Sequence, residues 1–205
     1  MVSVAAIFTS PVKSLSLSQQ TTVAVGISGI EDDRRFHLID AEGGLLTQRQ
    51  YGRLALVQAQ YLGESDYLTL RFPDGRVLEG LPELGDSVTT TMWGRQVSGR
   101  EVTGMWSEAL SSHCSSPVRL VKTDDPGACF DEYPVSLLSQ ASVDGLEGRV
   151  NGAPKFEGRR FRPSFLLKGC SPHEEDTWLG GVVRIGPELR DRKSTRLNSS
   201  HVLIS

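Results

Sequence analysis

The sequence is poor in cysteine and histidine, has no excess of basic charge and contains no long apolar run, and each shortage closes off a class of function. Its 205 residues hold three cysteines, Cys114, Cys129 and Cys170, an odd number at wide spacings. That argues against a disulfide framework and a Cys-x-x-Cys metal site, and reduced thiols are expected. Lys and Arg total 22 against 25 Asp and Glu, a net charge of −3, so there is no basic footprint for DNA or RNA. No stretch approaches membrane-spanning length. The opening MVSVAAIFTSPVKS has a short apolar patch with no basic segment before it, unlike a secretory signal, and a cytoplasmic location is expected. The patterns GxxxxGK[ST], GxGxxG after a strand, HExxH and GxSxG are missing, which removes the local warrant for common nucleotide-binding, zinc-protease and serine-hydrolase readings.

What is present is an ordinary globular composition, 38% hydrophobic with a mean hydropathy of −0.22, enough for one large domain or two small ones. From Met1 to about Arg100 short strands alternate with turn chemistry. Thr22–Ile27 and Arg35–Asp40 have the period-2 pattern of half-buried strands, and Ala41-Glu42-Gly43-Gly44 predicts a hairpin loop returning through Leu45–Gln48. Tyr67–Phe72, the turn Pro73-Asp74-Gly75 and Arg76–Glu79 predict a second hairpin. Val88–Trp93 and the strand from Val97, joined through Gly94-Arg95-Gln96, predict a third. So many short strands indicate a small barrel or sandwich. Further on, Thr103–Leu110 predicts a helix capped by Thr103, and Val143–Leu146 a second short one. Val118–Val121, Phe165–Lys168 and Val182–Ile185 predict strands, with loops over Asp124–Gly127 and Asn151–Arg160. The fold class is therefore mainly β with a few short helices, α+β.

Two clusters have the chemistry of an anion site. Asp32-Asp33-Arg34-Arg35 and Glu157-Gly158-Arg159-Arg160-Phe161-Arg162-Pro163 each deliver guanidinium groups from a loop beside a strand, and arginine's planar fork matches phosphate and carboxylate oxygens. The alternative is that adjacent acids and bases solvate a surface turn. Lys13-Ser14, after Pro11-Val12, is a third polar site. His37 alternates with Phe36 and Leu38, leaving His113 and His173 open to acid–base work or to ordinary packing and exposure. His173-Glu174-Glu175-Asp176 has oxygen ligands for a hard cation but reads better as a solvated face. Cys170 is a thiol at a strand end, read as a small buried residue.

Several of these segments, in order, resemble MOSC-domain proteins. Ser10-Pro11-Val12-Lys13-Ser14-Leu15, Asp33-Arg34-Arg35-Phe36, Leu46-Thr47-Gln48-Arg49-Gln50 and Arg53-Leu54-Ala55-Leu56 are similar to the β-barrel domain that precedes MOSC domains. Leu138-Ser139-Gln140-Ala141-Ser142, Phe161-Arg162-Pro163, Gly169-Cys170 and Glu175-Asp176-Thr177-Trp178 resemble the first half of a MOSC domain. The two-domain order resembles that of the mitochondrial amidoxime-reducing component and its bacterial relatives. The resemblance implies an N-terminal β-barrel domain over residues 1–125 and a partial MOSC domain over 126–191. It implies a molybdenum-pyranopterin cofactor, small N-hydroxylated substrates, an iron–sulfur or flavin electron donor and no nucleic-acid or membrane partner; pyridoxal phosphate binding is a further family property it brings.

Residue by residue, the resemblance places Lys13 and Ser14 at the family's Lys-Ser cofactor contacts, Arg34 at the arginine of its Asp-Arg motif and Arg162 at that of its Phe-Arg-Pro-Asn motif. Asp131, before Pro134, is a weaker cofactor contact. Ser164 replaces the asparagine and keeps only a hydroxyl, and Asp32 stands where the family often has glycine. No cysteine here matches the molybdenum-ligating thiolate. The last fourteen residues, 192–205, hold three basic residues and no acidic one, and residues 1–191 alone carry −6. That stretch resembles translated adapter sequence, so a truncated fragment with a non-native tail and little activity is expected. A molybdopterin-binding or sulfur-carrier module without reductase chemistry is the alternative, and an unrelated β-rich binding domain with surface arginines is a third.

Overall fold

A computed structural model describes residues 1–147, 156–187 and 189–192. In chain order the strands are β1 (Ser3–Thr9), β2 (Ser18–Gln20), β3 (Val25–Gly26), β4 (Gly29–Ile30), β5 (Phe36–Ile39), β6 (Leu45–Leu46), β7 (Gln58–Leu62), β8 (Tyr67–Arg71), β9 (Val77–Gly80), β10 (Leu84–Met92) and β11 (Arg95–Val102). Helix α1 (Met105–Cys114) follows, then β12 (Arg119–Thr123), β13 (Leu137–Ser139), α2 (Gln140–Glu147), β14 (Phe165–Lys168), β15 (Val182–Ile185) and β16 (Leu189–Arg192). The protein is thus mainly β with two α-helices, the expected class.

The chain divides into two compact units that interleave in sequence. One takes Met1–Phe8, Gln19–Thr22 and the residues from Val135 on; the other takes Thr9–Ser18 and Val23–Pro134. In the second, an antiparallel sheet ordered β10-β11-β12-β5-β6 and a three-stranded sheet β7-β8-β9 share one apolar cluster with α1. Period-2 alternation decides which side chains enter it. Phe36 and Leu38 of β5, Leu120 of β12 and Val102 of β11 meet Leu68 and Leu70 of β8, with Trp106, Leu110 and Cys114 from one stripe of α1. His37 belongs to the alternate set, bonding Thr90, and Met92, Val97 and Cys129 form a smaller apolar cluster. The first unit holds a sheet ordered β13-β14-β1-β2, in which β14 runs antiparallel to β1 and parallel to β13, and the ribbon β15-β16.

The hairpins at 36–46 and 67–80 form as expected, with Leu38 opposite Leu46 and Leu70 opposite Leu78. Three details differ. The third hairpin turns at Trp93-Gly94, both with positive φ (50° and 82°), so Arg95 already belongs to the returning strand. Two left-handed residues suit the twist of a two-residue hairpin, and Gly94 meets that demand without strain. Helix α1 starts later, because Gly104 (φ 81°) is its N-cap while the Thr103 amide donates to the Glu83 carbonyl at 2.9 Å. Thr22–Ile27 is strand only over Val25–Gly26. Of the expected 151–160 loop, 151–155 lies outside the described residues, as does the expected tail beyond residue 192.

Candidate functional site

In the unit formed by Thr9–Ser18 and Val23–Pro134, two loops are clamped together by their backbones. The Lys13 amide donates to the Phe36 carbonyl at 2.8 Å, the Phe36 amide to the Pro11 carbonyl at 2.9 Å, and the Arg34 amide to the Ser10 carbonyl at 2.9 Å. Asp33, buried, accepts from the Ser10 amide at 2.6 Å and pairs with the Arg34 guanidinium. The Ser10 hydroxyl closes the first loop on the Val12 carbonyl at 2.7 Å. Lys13 and Ser14, and Arg34 some 20 residues further along the sequence, are therefore fixed on one rigid junction at the start of β5.

Four of the eight non-glycine residues with positive φ among the described residues lie at or against this junction: Ser14 (75°), Asp32 (61°), Arg34 (50°) and Trp93 (50°). Left-handed backbone at serine, arginine and tryptophan costs energy and persists where surrounding structure enforces it, a pattern concentrated at functional sites. Asp32 keeps the left-handed turn that glycine would favour, and its carboxylate accepts from the Gly63 amide at 2.9 Å.

The cations are paired, Lys13 buried and Arg34 half-buried. The Lys13 side chain is 4% exposed, and its Nζ donates to the Cys129 carbonyl at 2.9 Å and to Asp131 Oδ1 at 2.7 Å. Burial lowers the Lys13 pKa, and Asp131 opposes that shift by charge and hydrogen bond. Burial works to raise the Asp131 carboxyl, but Lys13, Arg34 and the hydrogen bond from Trp93 outweigh it and hold it below its ordinary value. The Trp93 indole Nε1 donates to the same Asp131 Oδ1 at 3.1 Å. Arg95 donates to the carbonyls of Phe130 and Asp131 at 2.5 and 2.8 Å and lies 4.5 Å over the Phe130 ring, which fixes the segment carrying Asp131. Cys129 donates its thiol to the Arg34 carbonyl, and burial pushes that thiol up to about 12, so it is not a nucleophile at neutral pH.

The donor set fits an anionic, hydrogen-bond-rich group. Lys13 uses two of its three ammonium protons, and the Arg34 fork retains donors beyond its bond to Asp33. Asp131 and Asp33 balance the two cations in this structure.

Of the residues the sequence points to, Lys13, Ser14, Arg34 and Asp131 come together here. Arg162 and Ser164 belong to the other unit. Arg162 caps the short Gly158–Phe161 helix with φ 54°, and buried Ser164 donates its amide to Ser136 Oγ at 2.9 Å and accepts from the Ser136 amide at 3.2 Å. Arg159 pairs with Glu157 at 2.5 Å with both side chains about 60% exposed, an ordinary surface pair. His113 bonds the Arg53 carbonyl and packs on Phe72, and His173 faces Asp176 at 3.6 Å, so neither joins the cation site. Glu175 departs from a solvated face: its Oε1 accepts from the Ser139 amide at 3.0 Å and the Ser142 hydroxyl at 2.7 Å. Cys170 is half-buried rather than buried. Trp93 and Cys129 are site residues that sequence reasoning did not reach, and Asp33 enters it only as a member of its charged cluster. Asp33 stands in the Asp-Arg motif itself, whereas Trp93 and Cys129 carry no local signal. The described residues contain no cluster of three or more side chains suited to a metal ion and no helix long and apolar enough to cross a membrane.

This fold and donor set define a MOSC-domain protein: residues 1–117 match the MOSC N-terminal beta barrel domain, and the chain belongs to that family. Among curated proteins it is similar to mitochondrial amidoxime-reducing component 1 of Xenopus laevis, 28% identical over 204 residues covering 86% of this chain and 58% of that protein. The Homo sapiens protein of the same name is 28% identical over 201 residues (85% and 58%), and that of Danio rerio 29% over 197 residues (85% and 59%). The chain spans just under three fifths of the length of these relatives.

Proposed function

We propose that the chain is part of a molybdenum-pyranopterin oxidoreductase that reduces N-hydroxylated small molecules with electrons from an iron–sulfur or flavin protein. The observation that carries the reading is the clamped junction, which fixes buried Lys13 and left-handed Ser14 and Arg34 together, the residues that the resemblance assigns to cofactor contact. Similarity to amidoxime-reducing components supports the substrate class and the need for a donor. Residues 1–125 are taken as the N-terminal β-barrel domain and 126–191 as part of the MOSC domain.

The residues' roles follow from their chemistry. Lys13 supplies a point charge and Arg34 a fork to phosphate oxygens, both placed beforehand by backbone hydrogen bonds, so little ordering cost falls on binding. Ser14 adds a hydroxyl beside them. Asp131 trades its place on Lys13 for the anion. When bound, the cofactor supplies two-electron oxygen-atom chemistry.

A second reading, a molybdopterin-binding or sulfur-carrying module, draws on one observation. Burial raises the pKa of all three thiols, Cys114, Cys129 and Cys170, whereas a soft metal takes a thiolate. Loading the full chain with cofactor, then measuring bound pterin and reduction of an amidoxime with an artificial electron donor, separates the readings. Bound pterin with little turnover is the expected result, since no cysteine of the chain matches the molybdenum-ligating position. Substantial turnover selects the reductase over the module, and no bound pterin overturns both.

A further inference from the structure

Trp93 is a large aromatic side chain held against the Lys13–Asp131 pair while remaining largely open to solvent, at 54% exposure. Three features fix it. Its backbone is left-handed at the tip of the β10–β11 hairpin, its indole N–H bonds Asp131, and the Arg49 guanidinium lies 5.4 Å from its ring centroid. A flexible exposed tryptophan offers little to a ligand, because binding must order it; this one is already ordered. Asp131 Oδ1 receives the Lys13 ammonium at 2.7 Å and the indole nitrogen at 3.1 Å. The aromatic plane therefore begins within about 6 Å of the ammonium, the length of a short linker between a phosphate and a heteroaromatic ring.

We propose that Trp93 is a stacking platform for the planar bicyclic ring of a phosphorylated ligand whose phosphate is held by Lys13 and Arg34. The inference rests on the anion site proposed above and assigns the ring position, which the cations leave unspecified. Arg49 deepens the platform: a cation on one face of an indole polarises the ring, and a heteroaromatic ring stacks on exposed π surface with little dependence on its hydrogen-bonding edges. The chemistry is shared by a pterin phosphate and a purine nucleotide.

The test titrates the full chain with inorganic phosphate, 6-hydroxymethylpterin monophosphate and GMP, following heat and tryptophan emission. Both ring-bearing phosphates are expected to bind about tenfold or more tighter than phosphate itself and to change emission, as stacking on one aromatic side chain allows. The tighter of the two identifies the ring source, pterin or nucleotide. Trp93→Ala is expected to bring both down to the affinity that the same variant has for phosphate, and Trp93→Phe to keep most of the gain. Phosphate binding that survives in Trp93→Ala also shows that the variant folds. Equal affinity for phosphate and both ring compounds in the wild type, or an undiminished gain in Trp93→Ala, overturns the platform and leaves the anion site standing. Failure of phosphate and both compounds to bind the wild type removes the anion site, and the platform with it.

Discussion

Position 37 carries a histidine where an aliphatic side chain would pack without a polar cost. The side chain is fully buried; Nε2 is 3.0 Å from Thr90 Oγ1, and Nδ1 has no hydrogen-bond partner among the described residues. Burial, reinforced by the nearby Lys13 charge, depresses its pKa to about 4. The folded chain therefore binds fewer protons at this site than the unfolded chain between about pH 6.5 and pH 4. The stability that neutral His37 contributes is full above that window and is lost as pH falls through it. Going from about pH 7 to about pH 5 is expected to lower unfolding free energy by about 2 kcal/mol through this residue alone. Urea titrations of the wild type and His37→Asn at both pH values check it; an equally steep loss in the variant would place the pH dependence elsewhere. The same scale explains Lys13. A buried ammonium without a counter-charge costs several kcal/mol, and Asp131 with the Cys129 carbonyl provides the compensation until an anion arrives.

Among the elements, β11 has the tightest tolerance. A Cβ at Gly99 would overlap the Lys122 carbonyl oxygen of β12 and meet Val121 Cγ1 at 2.8 Å, whereas one at Gly94 would meet nothing within 4 Å. Gly99→Ala must push two paired strands apart and is expected to destabilise by about 2–3 kcal/mol; Gly94→Ala bears only the cost of positive φ, about 1 kcal/mol. Denaturant midpoints of the two variants test the ranking, and a costlier Gly94→Ala would contradict it. The hairpins were legible in the sequence because their turns carry their own chemistry: Gly43-Gly44 and Pro73-Asp74-Gly75 announce a reversal locally. The start of α1 was not, since the Thr103 amide is taken by Glu83, twenty residues earlier, and Gly104 takes the cap. The site divides the same way. Lys13, Ser14 and Arg34 lie in short motifs, whereas the Asp131 and Cys129 partners of Lys13 are more than a hundred residues away and Trp93 arrives by the register of β10 against β11.

At the scale of the molecule, the two units differ in how much apolar surface they bury. Eighteen buried residues form the main cluster of the unit built from Thr9–Ser18 and Val23–Pro134. Among the described residues the other unit gathers fewer, chiefly Phe8, Leu137, Val143, Phe156 and Phe165–Leu167. Hydrophobic burial is the dominant favourable contribution to folding, so opening is expected to begin in the smaller core. Native-state hydrogen exchange should show β5, β8 and β12 protected to higher denaturant than β13 and β14, and the reverse order would contradict this. The junction of Lys13, Ser14 and Arg34 lies in the larger-core unit, where a rigid scaffold can hold its left-handed residues in place. The central claim, that this junction holds the phosphate of a pyranopterin, is tested most directly by equilibrium dialysis of molybdopterin against the full chain and its Lys13→Ala and Arg34→Ala variants. The account predicts stoichiometric binding by the wild type and about ten- to a hundredfold weaker binding by each variant, the loss of one charge-assisted contact. Variants that remain folded and bind as tightly as the wild type would contradict it.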